Sequence, residues 1–491
     1  MPYNIRIVST YPPRRCGIGT FSRDLASALA HFTAEVGYIR VAAIDRGHGP
    51  YDIPVDLVID QYNPDSWRDT ITHICSRAGQ STSPTAVTLQ HEFGLDPDAQ
   101  GNDGQGDNFV NMAKALRAKG LTTIVYLHTV LDEPDPYQRA TIQTLAEHSD
   151  GLVVTTESAI QILESDTYGI AHAKLKHIDH GIRMHNPCQF DRLELKREYG
   201  LEGRFLITTL GLLSPGKGVD YAIRAYGRFL EESCTAEQRQ QIVYVIAGQC
   251  HPEFVKAEGG EPYRQFRAQL DDALKETKLR WCRTSDLVGT DVSDYDLVFL
   301  DSFLSDNALL RLYGATNVML LPYLNMQQIS SGILADTLGS GRVAITTKFR
   351  YARELIHSNK RCPEGLLIGR YARGILVDPG EPSIEQIAQA LDYVVFNESR
   401  RLMMERQAQQ RGYQMRWSNS AWALLQYLDF IREEKGLVTG RGVKFTREKA
   451  SCLNVHKYRQ FQVTPTVKAV TQVPKSEVQA QSSGPPEARG S

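Results

Sequence analysis

The sequence predicts an α/β protein in which two parallel-sheet halves face one another across a cleft. Three observations carry this. Short apolar runs alternate with amphipathic helical stretches along most of the 491 residues, the pattern of parallel sheets covered by helices on both faces. A strand, a glycine-bearing loop and a helix open the chain at Asn4, and the same plan restarts at Arg204. Between the two series, Arg183 to Gly203 is polar, contains Asn186-Pro187 and reads as a linker.

In the first half, Asn4 to Ser9 reads as a strand. It runs through Thr10-Tyr-Pro-Pro-Arg-Arg-Cys-Gly-Ile-Gly into a helix over about Thr20 to Phe32, with Phe21, Leu25, Ala28, Leu29 and Phe32 inward. Gly17 and Gly19 suit either a tight turn or a bare backbone that a ligand could approach. Further strands follow at Thr85 to Gln90, Thr123 to Leu127, Gly151 to Thr155 and Leu175 to Ile178, with helices at Asn108 to Ala118 and Pro136 to His148. Two strands end in a histidine, His91 and His128; each alone suits a structural role, and together they point to a site at the strands' carboxyl ends. The Gly- and Asp-rich stretch from Asp96 to Asp107 lacks calcium-loop ligand spacing and reads as a mobile loop.

In the second half, Arg204 to Leu210 is a strand, Gly211-Leu-Leu-Ser-Pro-Gly-Lys-Gly218 a glycine-rich loop and Val219 to Glu232 a helix. Lys217 suits a surface turn or a phosphate-binding cation, and the spacing is not that of a Walker loop. Ile242 to Gly248 is a strand, His251 to Lys278 helical, Trp281 to Asp296 a polar excursion, Val298 to Asp301 a strand and Asn307 to Tyr313 a helix. Val318 to Thr347 then reads as strand, loop, helix, strand, a βαβ unit with Ile333, Leu334, Thr337 and Leu338 on the helix's inner face. Ser330-Ser331-Gly332 opens that helix, where unpaired N–H groups and the positive helix end form an anion cradle. Gln328 precedes the cradle and Asp336 lies one to two turns inside. Beyond come an exposed turn at Pro363-Glu364-Gly365, a strand at Gly374 to Val377 and a helix at Ser383 to Phe396. Helical patterning resumes at Arg400 and continues from Trp417 to Ile431. Thr464 to Ser491, rich in Pro, Ser, Gln, Val and Gly, is expected to be disordered.

Composition narrows the function classes. The chain is 42% apolar and 23% charged with a net charge of −2, so no global field draws it to nucleic acid or anionic membrane. No apolar run approaches the about 20 residues of a membrane span, and no signal peptide is read at Met1. None of the eight cysteines forms a C-x-x-C pair, which points to a reduced, cytoplasmic setting.

With these motifs placed, the chain from about Asn4 to Ile431 resembles the GT-B glycosyltransferases of the large retaining family 4. That family has a Glu, seven residues, a second Glu, then Ala-x-x-x-Gly before a strand. Here Gln328 and Asp336 hold the two acid positions at the same spacing, followed by Thr337 to Gly341. The family's donor loop commonly reads Gly-Arg-Leu and then Lys-Gly; here Leu212 replaces the Arg while Lys217-Gly218 remains. A branch of the family carries Tyr-Pro-Pro-Arg-x-Cys-Gly-Ile, Gln-His-Glu-Phe/Tyr-Gly, Leu-His-Thr-Val and Gln-x-Ser-Ser-Gly, and this sequence has all four, at Tyr11, Gln90, Leu127 and Gln328.

The resemblance implies two Rossmann-like domains: residues 1–182 for the acceptor, a linker at 183–203 and residues 204–412 for the nucleotide-sugar donor. A helix at 413–435 would cross back to the first domain, and 436–491 would be a largely disordered tail. It implies transfer of a hexose with retention to a carbohydrate or polyol, with the nucleotide sugar as co-substrate, no cofactor and no metal. Gly17 and Gly19 would face the donor phosphate and acceptor, and His128 the transferring sugar. Lys217 and the N–H groups of Ser331, Gly332 and Ile333 would hold the diphosphate, Gln328 the sugar hydroxyls and Asp336 the ribose. The departing diphosphate gains charge in an oxocarbenium-like transition state, which preorganised N–H groups and a lysine stabilise. A GT-B sugar-nucleotide epimerase and a nucleotide-sugar-binding protein without turnover stay open as alternatives. Base, sugar, acceptor and oligomeric state are not read from the sequence.

Overall fold

The computed structural model describes residues 2–98, 100–183, 191–357, 368–369 and 371–436. The turn expected at Pro363 to Gly365 and the tail beyond residue 436 lie outside the described residues. Fourteen strands are present among them: β1 Tyr3–Ser9, β2 Val36–Asp45, β3 Val55–Asp60, β4 Thr85–His91, β5 Thr122–Leu127, β6 Gly151–Val154, β7 Leu175–His177, β8 Phe205–Leu210, β9 Ile242–Ala247, β10 Trp281–Thr284, β11 Leu297–Leu300, β12 Val318–Leu321, β13 Val343–Thr347 and β14 Gly374–Val377. They form two seven-stranded sheets, ordered β3-β2-β1-β4-β5-β6-β7 and β10-β11-β9-β8-β12-β13-β14. Every pairing is parallel. Central strands such as β5, β9 and β12 are buried along their whole length, as strands covered on both faces must be.

Several helices start where side chains cap them. Asp135 and Gln138 form a reciprocal capping box at the Pro136–His148 helix, and Ser331 accepts from the Leu334 N–H at 3.3 Å to cap Gly332–Gly339. The strands β2 and β3 and the helices Pro64–Gly79 and Glu157–Glu164 have no counterpart in the sequence reading, and other stretches differ from it. The first helix begins at Gly17 rather than Thr20. The stretch read as linker contains the helix Arg192–Glu198, capped by Asp191. Trp281 to Asp296, read as an excursion, opens with the edge strand β10, whose partly exposed residues hide its pairing to β11. The loop from Asp96 is knitted rather than loose: the buried Asp96 carboxylate accepts from the N–H groups of Asn108 and Phe109 at 3.0 and 3.3 Å. Burial pushes that carboxyl up to about 6.

The two sheets meet at the carboxyl ends of their strands. Past β6, the Thr155 hydroxyl donates to the Ile329 carbonyl at 2.9 Å, and Ile329 itself is buried in the first half's core. The Glu354 carboxylate, past β13, accepts from the N–H groups of Glu157 and Ser158 at 3.0 and 2.8 Å. The chain crosses between the halves twice at one point, where the Ile182 N–H donates to the Met415 carbonyl at 2.8 Å. Only glycine fits there: a Cβ on Gly181 would stand 2.0 Å from the Trp417 ring, and one on Gly339 2.5 Å from Ile182. Trp417–Glu434 then lies on the first half, with Trp417, Ala421, Leu424 and Leu428 in one core with Ile5 and Phe21. No helix among the described residues is long and apolar enough to cross a membrane.

Candidate active site

In the second sheet the strand order reverses between β8 and β12, which opens a crevice at their carboxyl ends. The loop after β8 is shaped by two glycines with positive φ, Gly211 at 125° and Gly218 at 60°. A Cβ on Gly218 would lie 2.1 Å from the Pro322 carbonyl oxygen, so the backbone passes where no side chain fits. The Leu324 N–H donates to the Gly216 carbonyl at 2.9 Å and laces this loop to the one after β12. Lys217, in the turn Pro215–Lys217, has its Nζ 3.7 Å from the centre of the Tyr323 ring. A Cβ on Gly211 would stand 3.8 Å from the Ile333 side chain. The loop bearing Lys217 thus abuts the helix tip of Ser331, Gly332 and Ile333, whose first N–H groups have no partner within the helix.

Asp336 and Gln328 are already engaged. Asp336 Oδ1 accepts from the Arg183 N–H at 3.2 Å. Burial pushes the Asp336 carboxyl up to about 7, opposed by the Arg183 charge. The Arg183 guanidinium reaches Asp24 at 2.9 Å and Asp306 at 2.8 Å, tying the first helix, the crossing point and the second half together. The Gln328 amide turns inward and donates to the Ser330 carbonyl at 2.6 Å.

At the facing edge of the first sheet the two glycines part company. Gly19 packs on its own loop, since a Cβ there would be 3.4 Å from both Thr10 and Tyr11. Nothing lies within 4 Å of a Cβ on Gly17, and that space is open to a ligand. His128 lies 2.8 Å from Gln90 Oε1 through Nε2. An oxygen acceptor there places the proton on Nε2 and leaves Nδ1 as a lone pair. Burial, with His180 and His91 nearby, pushes His128 down to about 3 and holds it neutral. His91 is fully buried against Phe93 and Phe109, with neither ring nitrogen hydrogen-bonded, and is a core residue. Phe21 touches His128 and His180 edge-on, with centroids 5.1 and 5.2 Å away.

The structure therefore gathers Lys217, Ser331, Gly332 and Ile333 at one crevice and Gly17 and His128 at the opposite edge. Gly19 and Gln328 are spent on their own loops. Sequence reasoning missed Gln90, His180, Arg183 and Asp24 as site neighbours. The signal for Gln90 is the parallel register that pairs it with Tyr126, which sets it on the face of His128 two residues on. That register is visible only once β4 and β5 are known to be neighbours.

Two parallel sheets joined by a double crossing, with their carboxyl ends opposed over a glycine loop and a helix tip, constitute a GT-B fold. Solved structures share it. Anabaena HepE in complex with UDP aligns with a TM-score of 0.61 at 13% identity, over 87% of this chain and 100% of that one. A UDP-forming α,α-trehalose-phosphate synthase from Burkholderia xenovorans, in complex with glucose-6-phosphate, gives 0.59 at 14% identity, over 87% and 100%. A glycosyltransferase from Rickettsia africae gives 0.60 at 11% identity, over 88% and 98%. The sequence matches no protein-family profile and no curated protein.

Proposed function

We propose that this chain is a glycosyltransferase that moves a hexose from a nucleoside-diphosphate sugar to a carbohydrate or polyol, with retention and without a metal. The observation that carries it is the convergence of the Gly211 to Gly218 loop and the Ser331 to Ile333 helix tip at the β8/β12 crevice. Bare backbone and helix-start N–H groups are what a diphosphate needs. The solved neighbours include HepE with UDP-glucose and a trehalose-phosphate synthase that forms UDP, which supports a nucleoside diphosphate as leaving group.

In this reading Lys217 and the amides of Ser331, Gly332 and Ile333 take the charge that grows on the diphosphate as the glycosidic bond stretches. Loss of one such contact costs on the order of 3 kcal/mol. His128, held by Gln90, offers its Nδ1 lone pair to a sugar hydroxyl, and Gly17 leaves room for sugar or acceptor. Asp336 keeps one carboxylate oxygen for the ribose, the other being bonded to Arg183. The departing phosphate accepts the acceptor's proton on the face it leaves. The two Asp-x-Asp triplets lie elsewhere: Asp96 bonds Asn108, and Asp296 pairs with Arg239 and Arg280.

Purified protein incubated with UDP- and GDP-hexoses tests the proposal. Nucleoside diphosphate released only when a sugar or polyol acceptor is present supports it, and Lys217→Ala should lower that rate at least tenfold without changing Tm. Calorimetric binding without turnover across an acceptor panel would instead identify a binding protein.

A further inference from the structure

We infer that His180 is a second cationic contact of the leaving diphosphate, taking up a proton at Nε2 as the nucleotide enters. The inference rests on the diphosphate site proposed above. His180 ends the segment that follows β7, just before the crossing point at Ile182. Its ring is wedged between Phe21, 5.2 Å away, and Trp417, 5.5 Å away. Nδ1 lies 2.7 Å from the Gly181 carbonyl oxygen, and since a carbonyl can only accept, Nδ1 carries the hydrogen. Nε2 is then a lone pair with no hydrogen-bond partner among the described residues. It looks at the cradle: Nε2 and Cε1 both lie 3.6 Å from where a Cβ of Gly332 would stand.

Charge balance says what this nitrogen does. A bound nucleoside diphosphate brings about two to three negative charges, since its terminal phosphate loses its second proton near pH 6. The neighbouring guanidiniums are committed. Arg183 pairs with Asp24 and Asp306, and Arg23 also pairs with both. Lys217 is left to meet the diphosphate. A neutral imidazole lone pair set against a phosphate oxygen is repulsive, whereas an imidazolium donates to it.

Burial lowers the affinity of His180 for a proton. Asp24 and Asp179 favour the cation and Arg183 opposes it, while His128 is neutral. Asp336, one turn inside the helix, is itself pushed toward its neutral form. Both carboxylates are already paired, Asp24 with Arg183 and Asp179 with Arg411, so the incoming phosphate decides its protonation. The proton comes from solvent and no covalent bond changes.

Calorimetric titration of the full chain with UDP and GDP, from pH 6 to 8.5 in buffers of different ionisation enthalpy, tests this. Between the free and bound pKa of His180, affinity should fall up to tenfold per pH unit with uptake of one proton. His180→Asn keeps an amide near Nδ1 but has nothing at Nε2. It should bind about tenfold more weakly at pH 6 and take up about one proton fewer than wild type. The nucleotide's own titration is common to both proteins and cancels in that difference. His180→Gln, which can reach the Nε2 position uncharged, should recover part of the affinity and none of the proton uptake. Lys217→Ala should weaken binding at every pH and leave the slope intact. An unchanged pH slope and proton count in a folded His180→Asn or His180→Gln protein overturns the inference alone. A wild-type chain that binds neither nucleotide overturns the proposed function as well.

Discussion

The crevice at the β8/β12 reversal is walled by backbone, and the facing edge at the β1/β4 reversal is walled by side chains. Each sheet reverses its winding beside the first strand of its half, yet in the second a Cβ meets a carbonyl oxygen at 2.1 Å on Gly218 and at 1.9 Å on Gly248. On the first sheet Gly17 has empty space, and the site groups of that half are a neutral His128, its partner Gln90 and the ring of Phe21 against it. The difference is chemical. Fixed N–H dipoles and one lysine suit an anion whose charge is known in advance. Imidazole and amide side chains suit hydroxyls that must be both donated to and accepted from.

The largest expected effect comes from setting the two glycine loops against each other. Gly218→Ala forces a side chain into a left-handed conformation and onto Pro322, and should cost about 3 kcal/mol or more in urea unfolding. Gly17→Ala should leave unfolding unchanged or slightly improved, because alanine favours a helix, while weakening sugar or acceptor binding. Equal losses of stability in both variants would erase the distinction between the two edges.

A pH experiment sharpens it next. The Asp336 carboxyl is raised to about 7 in the folded chain, above the about 3.9 of an unfolded aspartate. A raised carboxyl binds its proton more tightly when folded, so its stabilising contribution is complete below pH 4 and is lost as pH rises through 7. Wild type should therefore lose stability relative to Asp336→Asn between pH 4.5 and 8, measured by urea midpoints. A constant difference would mean that the Arg183 contacts keep Asp336 ionised throughout.

The smallest effect concerns the clasp between the halves. Glu354 accepts from the first N–H groups of the Glu157–Glu164 helix across the cleft. Its loss should cost about 1 kcal/mol, the typical worth of a helix cap. Glu354→Ala should lower Tm by a few degrees at most and make the Glu157 amide exchange faster in hydrogen–deuterium measurements. Unchanged exchange would show that the first half caps this helix unaided.

Elements with strong local signals are legible in the chain. Pro136–His148 has its own capping box and proline at the start, and its bounds are those read from sequence. The same holds for β14, Gly374–Val377, a short buried apolar run. The edge strands β3 and β10 are half exposed, and without a continuous buried run their pairing leaves little trace. The site divides likewise. Lys217, Ser331 and Gly332 stand out because phosphate cradles are local in sequence. Gln328 kept the spacing of a sugar ligand but folds back on Ser330, a choice made by the loop's insertion into the other half.

The sequence by itself determined the two sheets, the glycine loop and the helix tip, since each is fixed by neighbours within about 30 residues along the chain, the span of one βαβ unit. Only the tertiary structure decided which side chains share the cleft. Arg183 meets an aspartate 159 positions away, and His180 comes to lie on Gly332, because packing two halves together brings distant residues into contact without any periodicity in the chain to announce it.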